Sequence, residues 1–218
     1  MDLAVVTAIF GNYDTLRRPR FFSPVPHICL TDGSITPIPP WDIRLVDPRQ
    51  PDRRLNAYHC KMLLHRHFSD LRTSLWIDGN FSLAEDPRVL ADTYLHDHDI
   101  ATFQHFARDC TYQEAEACIR FNRLTPSREA IESQVAAYRA EGLPEHAGMI
   151  EGCLILRRHV PWVNDFFEMW WAEAMKYSSR FQLSFNYLMW KHHLSYCAIP
   201  SEFYYKYVKQ SRHLKRDP

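Results

Sequence analysis

At 218 residues the chain has room for one large domain or two small ones, and it is long enough to bury a proper core. Hydrophobic residues make up 46% and charged residues 24%, which excludes a disordered chain. The 26 basic and 26 acidic side chains cancel, so no global field draws in nucleic acid or an anionic membrane surface.

Taken in chain order, Leu3 to Phe10 (LAVVTAIF) is short, apolar and rich in β-branched residues, the pattern of a strand inside a parallel sheet. It ends in the turn chemistry of Gly11-Asn12-Tyr13-Asp14. His27 to Thr31 predicts a second strand, stopped by Asp32-Gly33, and Trp41 to Val46 a third, after the proline-rich connector 37–40. Arg53 to Phe68 has helical periodicity. Thr73 to Ile77 (TSLWI) predicts another buried strand, running into Asp78-Gly79-Asn80. Asp86-Pro87 opens a short helix, and Ile100 to Phe103 is a further strand. Thr111 to Arg120 and Ser127 to Ala140 predict two helices, the second stopped by Gly142-Leu143-Pro144. Met149 to Leu156 (MIEGCLIL) is strand-like. Pro161 to Tyr177 is an aromatic-rich helix, whose tryptophans suit a core better than a sugar-stacking platform, and Phe181 to His192 is the last. The mildly basic tail from Lys206 to Arg216 is expected to be solvated and partly frayed. Strands alternating with helices, without a linker or repeat, predict one α/β domain around a mostly parallel sheet.

Six cysteines, at Cys29, Cys60, Cys110, Cys118, Cys153 and Cys197, form no CxxC pair and stand at no zinc-ligand spacing with histidine. A structural zinc site is therefore not expected. With no basic leader and no apolar run long enough to span a bilayer, the expectation is a reducing cytosol.

The sharpest chemical feature is Trp76-Ile77-Asp78-Gly79-Asn80. An apolar strand here delivers a carboxylate and an amide oxygen at its carboxyl end, where open α/β sheets bind ligands. Two such oxygens suit a hard divalent cation that also grips substrate phosphates, although an Asp-Gly turn without a ligand reads equally well. The end of the first strand, Thr7 to Asp14, offers backbone groups and Asp14 to a nucleoside, without a GxGxxG or P-loop signature. Arg53, Arg54 and Lys61 form a basic helix that suits phosphate or a solvated face. Glu151, set among apolar neighbours in a strand, is a carboxylate expected to be ion-paired or raised in pKa. No HExxH or GxSxG motif is present.

Taken as an ordered set, these stretches resemble the glycosyltransferase-like family of the plant mucilage-related and turgor-regulation-defect proteins and their bacterial relatives. The matching segments are AVVTAIFGNYDTL, ICLTD, the helix from Arg54 to Lys61, SLWIDGNFSL, FQHFARDCTYQEAEA, Gln134 to Gly142, EGCLILRRHVP and SRFQLSFNYLMWK. The resemblance implies a GT-A-type fold, with a nucleotide-binding half over about residues 1–105, an acceptor-side half over about 106–205 and the basic tail. It implies transfer of a sugar from a nucleotide-diphosphate sugar, UDP by analogy, to a hydroxyl of a glycan or other acceptor, assisted by Mn²⁺ or Mg²⁺. Asp78 and Asn80 would take the place of the DxD metal motif. Thr7, Ala8, Phe10, Tyr13 and Asp14 would line the nucleoside pocket, with Asp32 nearby, and Arg54 and Lys61 would approach ribose or phosphates. His105, Arg108, Glu151, Arg180 and Gln182 would face the donor sugar and the acceptor. Relatives usually carry Arg-Asp-Gln where this chain has Arg180-Phe181-Gln182, so one carboxylate is missing from that place. The rival readings are a non-catalytic nucleotide-sugar or glycan-binding module and a metal-dependent hydrolase built on the same Asp78.

Overall fold

Leu3–Ile9 form β1, a strand buried at every position but its first. A strand this apolar must be covered on both faces, and it is: β1 is the middle of a parallel trio with β2 (His27–Thr31) on one side and β4 (Thr73–Ile77) on the other. The computed structural model of the chain describes residues 1–121 and 127–213. Its main sheet has seven strands in the order β3-β2-β1-β4-β7-β6-β8, with β3 at Trp41–Leu45, β6 at Ile100–Gln104, β7 at Ile150–Arg158 and β8 at Cys197–Ile199. The sheet is mostly parallel, as expected. Only β7 runs against its neighbours β4 and β6.

Side-chain alternation along each strand divides the interior in two. Ala4, Val6, Ala8, Trp76 and Ile155 face a core built from α1 (Arg53–Met62), α5 (Pro161–Lys176) and α6 (Gln182–Lys191), with Phe166, Phe167, Trp170 and Phe185 at its centre. Trp170 and both phenylalanines of α5 are core residues, as the sequence implies. Val5, Leu75, Ile77, Leu154 and Leu156 face the other way, onto α2 (Pro87–Tyr94) and the C-terminal segment. α3 (Thr111–Arg120) and α4 (Arg128–Ala140) pack on α6 through Ala115, Cys118, Ile131 and Leu183. Helix starts follow their capping residues: Asp52 accepts from the amides of Arg54 and Leu55, Asp86 from Arg88 ahead of Pro87, and Ser127 from Ala130.

The single helix expected over Arg53 to Phe68 breaks at Leu63 and continues as a 3-10 turn, Leu64–Arg66. The cause comes from β7. The fully buried Arg157 donates to the carbonyls of Lys61 (2.8 Å) and Met62 (3.1 Å) and lies 4.1 Å over the Phe167 ring. Those helix-end carbonyls, which need a partner in any case, find it in a guanidinium. Burial pulls the Arg157 pKa down to about 9.

The expected frayed tail is also corrected. After a 3-10 turn, Ser201–Phe203, and the short helix α7 (Tyr204–Tyr207), Val208–Gln210 form β9, antiparallel to β5 (Phe81–Leu83). These three-residue strands are too short for periodicity to reveal. The remainder of the expected tail, residues 214–218, lies outside the described residues.

Candidate active site

Because β1, β2, β4 and β6 all point the same way and β7 points back, their ends define one edge of the sheet. Asp14 follows β1, Asp32 follows β2, Asp78 follows β4, His105 follows β6, and Glu151 starts β7. The predicted polar residues thus reach one edge from five different strands.

Asp78 sits in a closed set of contacts. Its Oδ1 accepts from Lys61 Nζ (2.9 Å) and from Trp76 Nε1 (2.7 Å), and Lys61 also donates to the Gly152 carbonyl. Oδ2 has no hydrogen-bond partner among the described residues, and the Asp78 side chain is 30% exposed, against 5% for Lys61. Lys61, expected to approach ribose or phosphates, lies beneath Asp78 and holds it. Gly152 is available because the β6–β7 pairing slips: Thr102 opposes Ile155 while Phe103 opposes Glu151. The bulge frees carbonyls of β7. Thr102 Oγ1 takes that of Leu154 (2.7 Å) and Lys61 that of Gly152. A Cβ on Gly79 would lie 2.8 Å from Ile9 Cγ1, so the turn after β4 can close on the end of β1 only with glycine.

Asn80, expected to join Asp78 on a cation, also has a structural part. Asn80 is buried, its Nδ2 donates to the Ser211 carbonyl (3.2 Å), and its own carbonyl accepts from Ser211 N (2.8 Å). It docks the C-terminal segment by extending the β5–β9 ladder. Its Oδ1 is the atom left to a cation.

That segment next crosses to the end of β1. His213 Nδ1 lies 2.9 Å from Asp14 Oδ2, and its ring lies 5.0 Å from Tyr13. The Arg53 guanidinium lies 4.9 Å from the Tyr13 ring. Thr7, Ala8 and Phe10 are buried, the last two within the main core. Thr7 Oγ1 is buried with no hydrogen-bond partner among the described residues. Asp32 stays on the rim and accepts from Gly11 N (2.9 Å), shaping the turn in which Gly11 and Asn12 both adopt positive φ. Arg54 pairs with Asp52 at the start of α1 (3.2 Å). His213 was hidden from sequence reading: no motif marks it, and only the β5–β9 pairing carries it to the edge.

The other half of the site is organised by Glu114, which sequence reasoning did not single out. Its side chain is fully buried on α3. It accepts from Arg108 Nε (2.5 Å) and Arg180 Nη2 (2.7 Å), with His105 Nε2 at 3.8 Å. Burial would raise its pKa, but the two guanidiniums outweigh that and hold it below its ordinary value. Its signal was an acidic residue on the inward face of an amphipathic helix. Glu151 has the opposite balance. Burial pushes its pKa up, Arg180 opposes, and the charges of Asp78 and Glu114 add to the rise; His105 Nε2 lies 3.9 Å away. Gln182 donates to the Ile150 carbonyl (2.9 Å) and so ties α6 to β7 beside Glu151. Phe181, where the sequence resemblance implies a carboxylate in relatives, packs between Tyr58 (4.5 Å) and Trp171 (5.8 Å). Phe106 stacks on His105 (4.8 Å) and is 72% exposed.

The family model described as "TOD1/MUCI70, glycosyltransferase-like domain" matches residues 36–213. The chain belongs to this family. Among curated proteins, the TOD1/MUCI70 match is 37% identical over 146 residues to "Probable hexosyltransferase MUCI70" of Arabidopsis thaliana, covering 62% of this chain and 25% of that protein. It is 28% identical over 144 residues to "Alkaline ceramidase TOD1" of the same plant, covering 62% and 31%. The chain thus matches only about a quarter to a third of these relatives' lengths. Solved structures of the same fold include the WbbM bifunctional glycosyltransferase (TM-score 0.53, 12% identity, 92% of this chain and 39% of that one). Mouse xyloside xylosyltransferase 1 has a TM-score of 0.51 at 9% identity, covering 92% and 86%. Galactosyltransferase LgtC, solved with donor and acceptor sugar analogues, has 0.51 at 13%, covering 87% and 69%. The GT-A-type fold implied by the sequence resemblance is the one found. No helix among the described residues is long and apolar enough to cross a membrane.

Proposed function

We propose that the chain is a glycosyltransferase that moves a sugar from a nucleoside diphosphate, UDP by preference, to a hydroxyl of a glycan or other acceptor. The observation that carries this reading is the meeting at one sheet edge of Asp78, held by Lys61, with the carboxylate of Glu151, one residue from the carbonyl that Lys61 also binds. The hexosyltransferase name of one relative and the glycosyltransferase-like family support it.

In this reading Asp14, Tyr13 and His213 receive the nucleoside, with the backbone of the Gly11–Asn12 turn beside them. Asp78 Oδ2 and Asn80 Oδ1 are hard oxygen donors of the kind Mn²⁺ or Mg²⁺ prefers, and they would hold the cation. Such an ion would offset charge developing on the departing diphosphate. Arg180 and Arg108, fixed by Glu114, face the donor sugar, and exposed Phe106 offers its ring to an acceptor. The acceptor oxygen attacks the anomeric carbon, its proton passes to Glu151, and the nucleoside diphosphate leaves. Burial raises the Glu151 pKa above the ordinary carboxylate value, which improves it as a base for a hydroxyl. This base is needed for a displacement with inversion. The proposed compartment is the cytosol.

A thermal-shift screen of nucleotide sugars with and without Mn²⁺ tests the donor, since bound ligand stabilises the native state. Consumption of the donor by an acceptor then separates transfer from binding alone. Release of fatty acid from a ceramide without donor consumption would overturn the reading in favour of the hydrolase named for the second relative. Glu151→Gln is expected to lower kcat by about 10²–10⁴-fold with donor binding unchanged. The sign of the pH dependence follows: the base works deprotonated and its pKa is raised, so the acid limb of the wild-type rate profile lies above the ordinary carboxylate range. In Glu151→Gln that limb disappears; an unchanged limb removes Glu151 from the chemistry. His213→Ala is expected to weaken nucleotide binding by about fivefold to tenfold, the loss of roughly one neutral hydrogen bond, as read by calorimetry.

A further inference from the structure

Two residues from Lys61 on α1, and so turned to a different face of the helix, stands a group the sugar chemistry does not use. The donor atoms of His59, Cys60 and His67 lie within 4.8 Å of one another. Among the described residues no other three His, Cys, Asp or Glu donors gather this closely. The sequence shows no zinc-ligand spacing here, because the group is assembled by the break in α1. The helix ends at Leu63, and the 3-10 turn brings His67 back against the last helical turn. Cys60 is 1% and His59 7% exposed, and the Trp171 ring closes edge-on against His59 at 5.2 Å. His67 Nε2 is buried with no hydrogen-bond partner among the described residues.

We propose that His59, Cys60 and His67 bind a thiophilic d¹⁰ cation, Zn²⁺ foremost, as a three-ligand site with its fourth position open to water. Two nitrogens and a sulfur are the donors zinc takes, and Mn²⁺ or Mg²⁺, which want oxygen, are refused. A neutral imidazole offers one ring-nitrogen lone pair to a metal, and binding expels the Cys60 proton as the metal–sulfur bond forms. Ligand atoms around tetrahedral zinc stand about 3.3–3.8 Å apart, so the cluster closes by roughly 1 Å on binding, within reach of side-chain rotation. The ion would clasp the end of α1, the helix that presents Lys61 to Asp78.

The test uses the full chain, stripped with chelator and titrated with Zn²⁺ or with Co²⁺ as a spectroscopic substitute. One equivalent should bind, with a thiolate-to-cobalt charge-transfer band, and zinc should raise Tm. His67→Gln should weaken zinc binding by roughly tenfold or more, and Cys60→Ala should abolish the cobalt band. Asp78→Asn should leave both intact, which separates this site from the proposed nucleotide cation. The circular dichroism of each metal-free variant shows whether it is folded. Absence of the band in wild type, its persistence in Cys60→Ala, or unchanged affinity in folded His67→Gln would each overturn the proposal.

Discussion

Asp78→Ala is expected to remove donor binding and turnover and also to destabilise the protein by about 3 kcal/mol, because it leaves the buried Lys61 ammonium without its carboxylate. The figure is at the lower end for breaking a buried pair, since Asp78 itself is 30% exposed. In a chain of this size such a loss lowers Tm by about 6–12 °C. Loss of activity in this variant alone would therefore say little about chemistry. The double variant Lys61→Met with Asp78→Ala resolves the two effects. Stability should largely return, since an apolar stem then fills the place of the charge, while nucleotide binding should not. Equal urea midpoints for wild type and Asp78→Ala would show that the Lys61–Asp78 pair contributes nothing to the fold. Nucleotide binding by the double variant as tight as in wild type would take Asp78 out of the site.

Glu114→Ala is the second large effect. It strands two guanidiniums, Arg108 and Arg180, around a side chain with no exposure at all, and should cost about 3–5 kcal/mol. Turnover should fall with it, because Arg180 loses the contact that fixes it beside Glu151. Glu114→Gln, which keeps the shape and one acceptor, should lose less stability and show the electrostatic part of the effect. The pH sign is set by a folded-state pKa held below the ordinary 4.5. The stabilisation is fully present above pH 4.5 and is lost as pH falls through the depressed folded value. Urea midpoints of wild type and Glu114→Gln should differ most at neutral pH and converge in acid. A constant gap between them across that range would show that the two arginines do not hold Glu114 ionised.

Phe181 illustrates how a departure from the family pattern reads differently once neighbours are known. From sequence it is a missing carboxylate. In the fold it fills the space between Tyr58 and Trp171, while its neighbour Arg180 bonds Glu114 of α3. Lys61 likewise proves to be the counter-charge of Asp78, a pairing across 17 positions.

What the amino-acid order determined by itself was local. Continuous apolar runs at Leu3–Ile9 and Thr73–Ile77 could only be strands covered on both faces, and Asp52, Asp86 and Ser127 started their helices by satisfying free amides. Position followed as well: Asp78 had to emerge at a strand's carboxyl end, because the apolar run stops there. Tertiary structure alone decided the partners. The reversed direction of β7, its bulge opposite Thr102 and Phe103, the end of α1 at Arg157 and the return of His213 to Asp14 all depend on residues dozens or hundreds of positions apart. Burial decided the charges. A carboxylate's pKa answers to the distance of the nearest guanidinium and the depth of its cover, and a sequence window carries neither quantity.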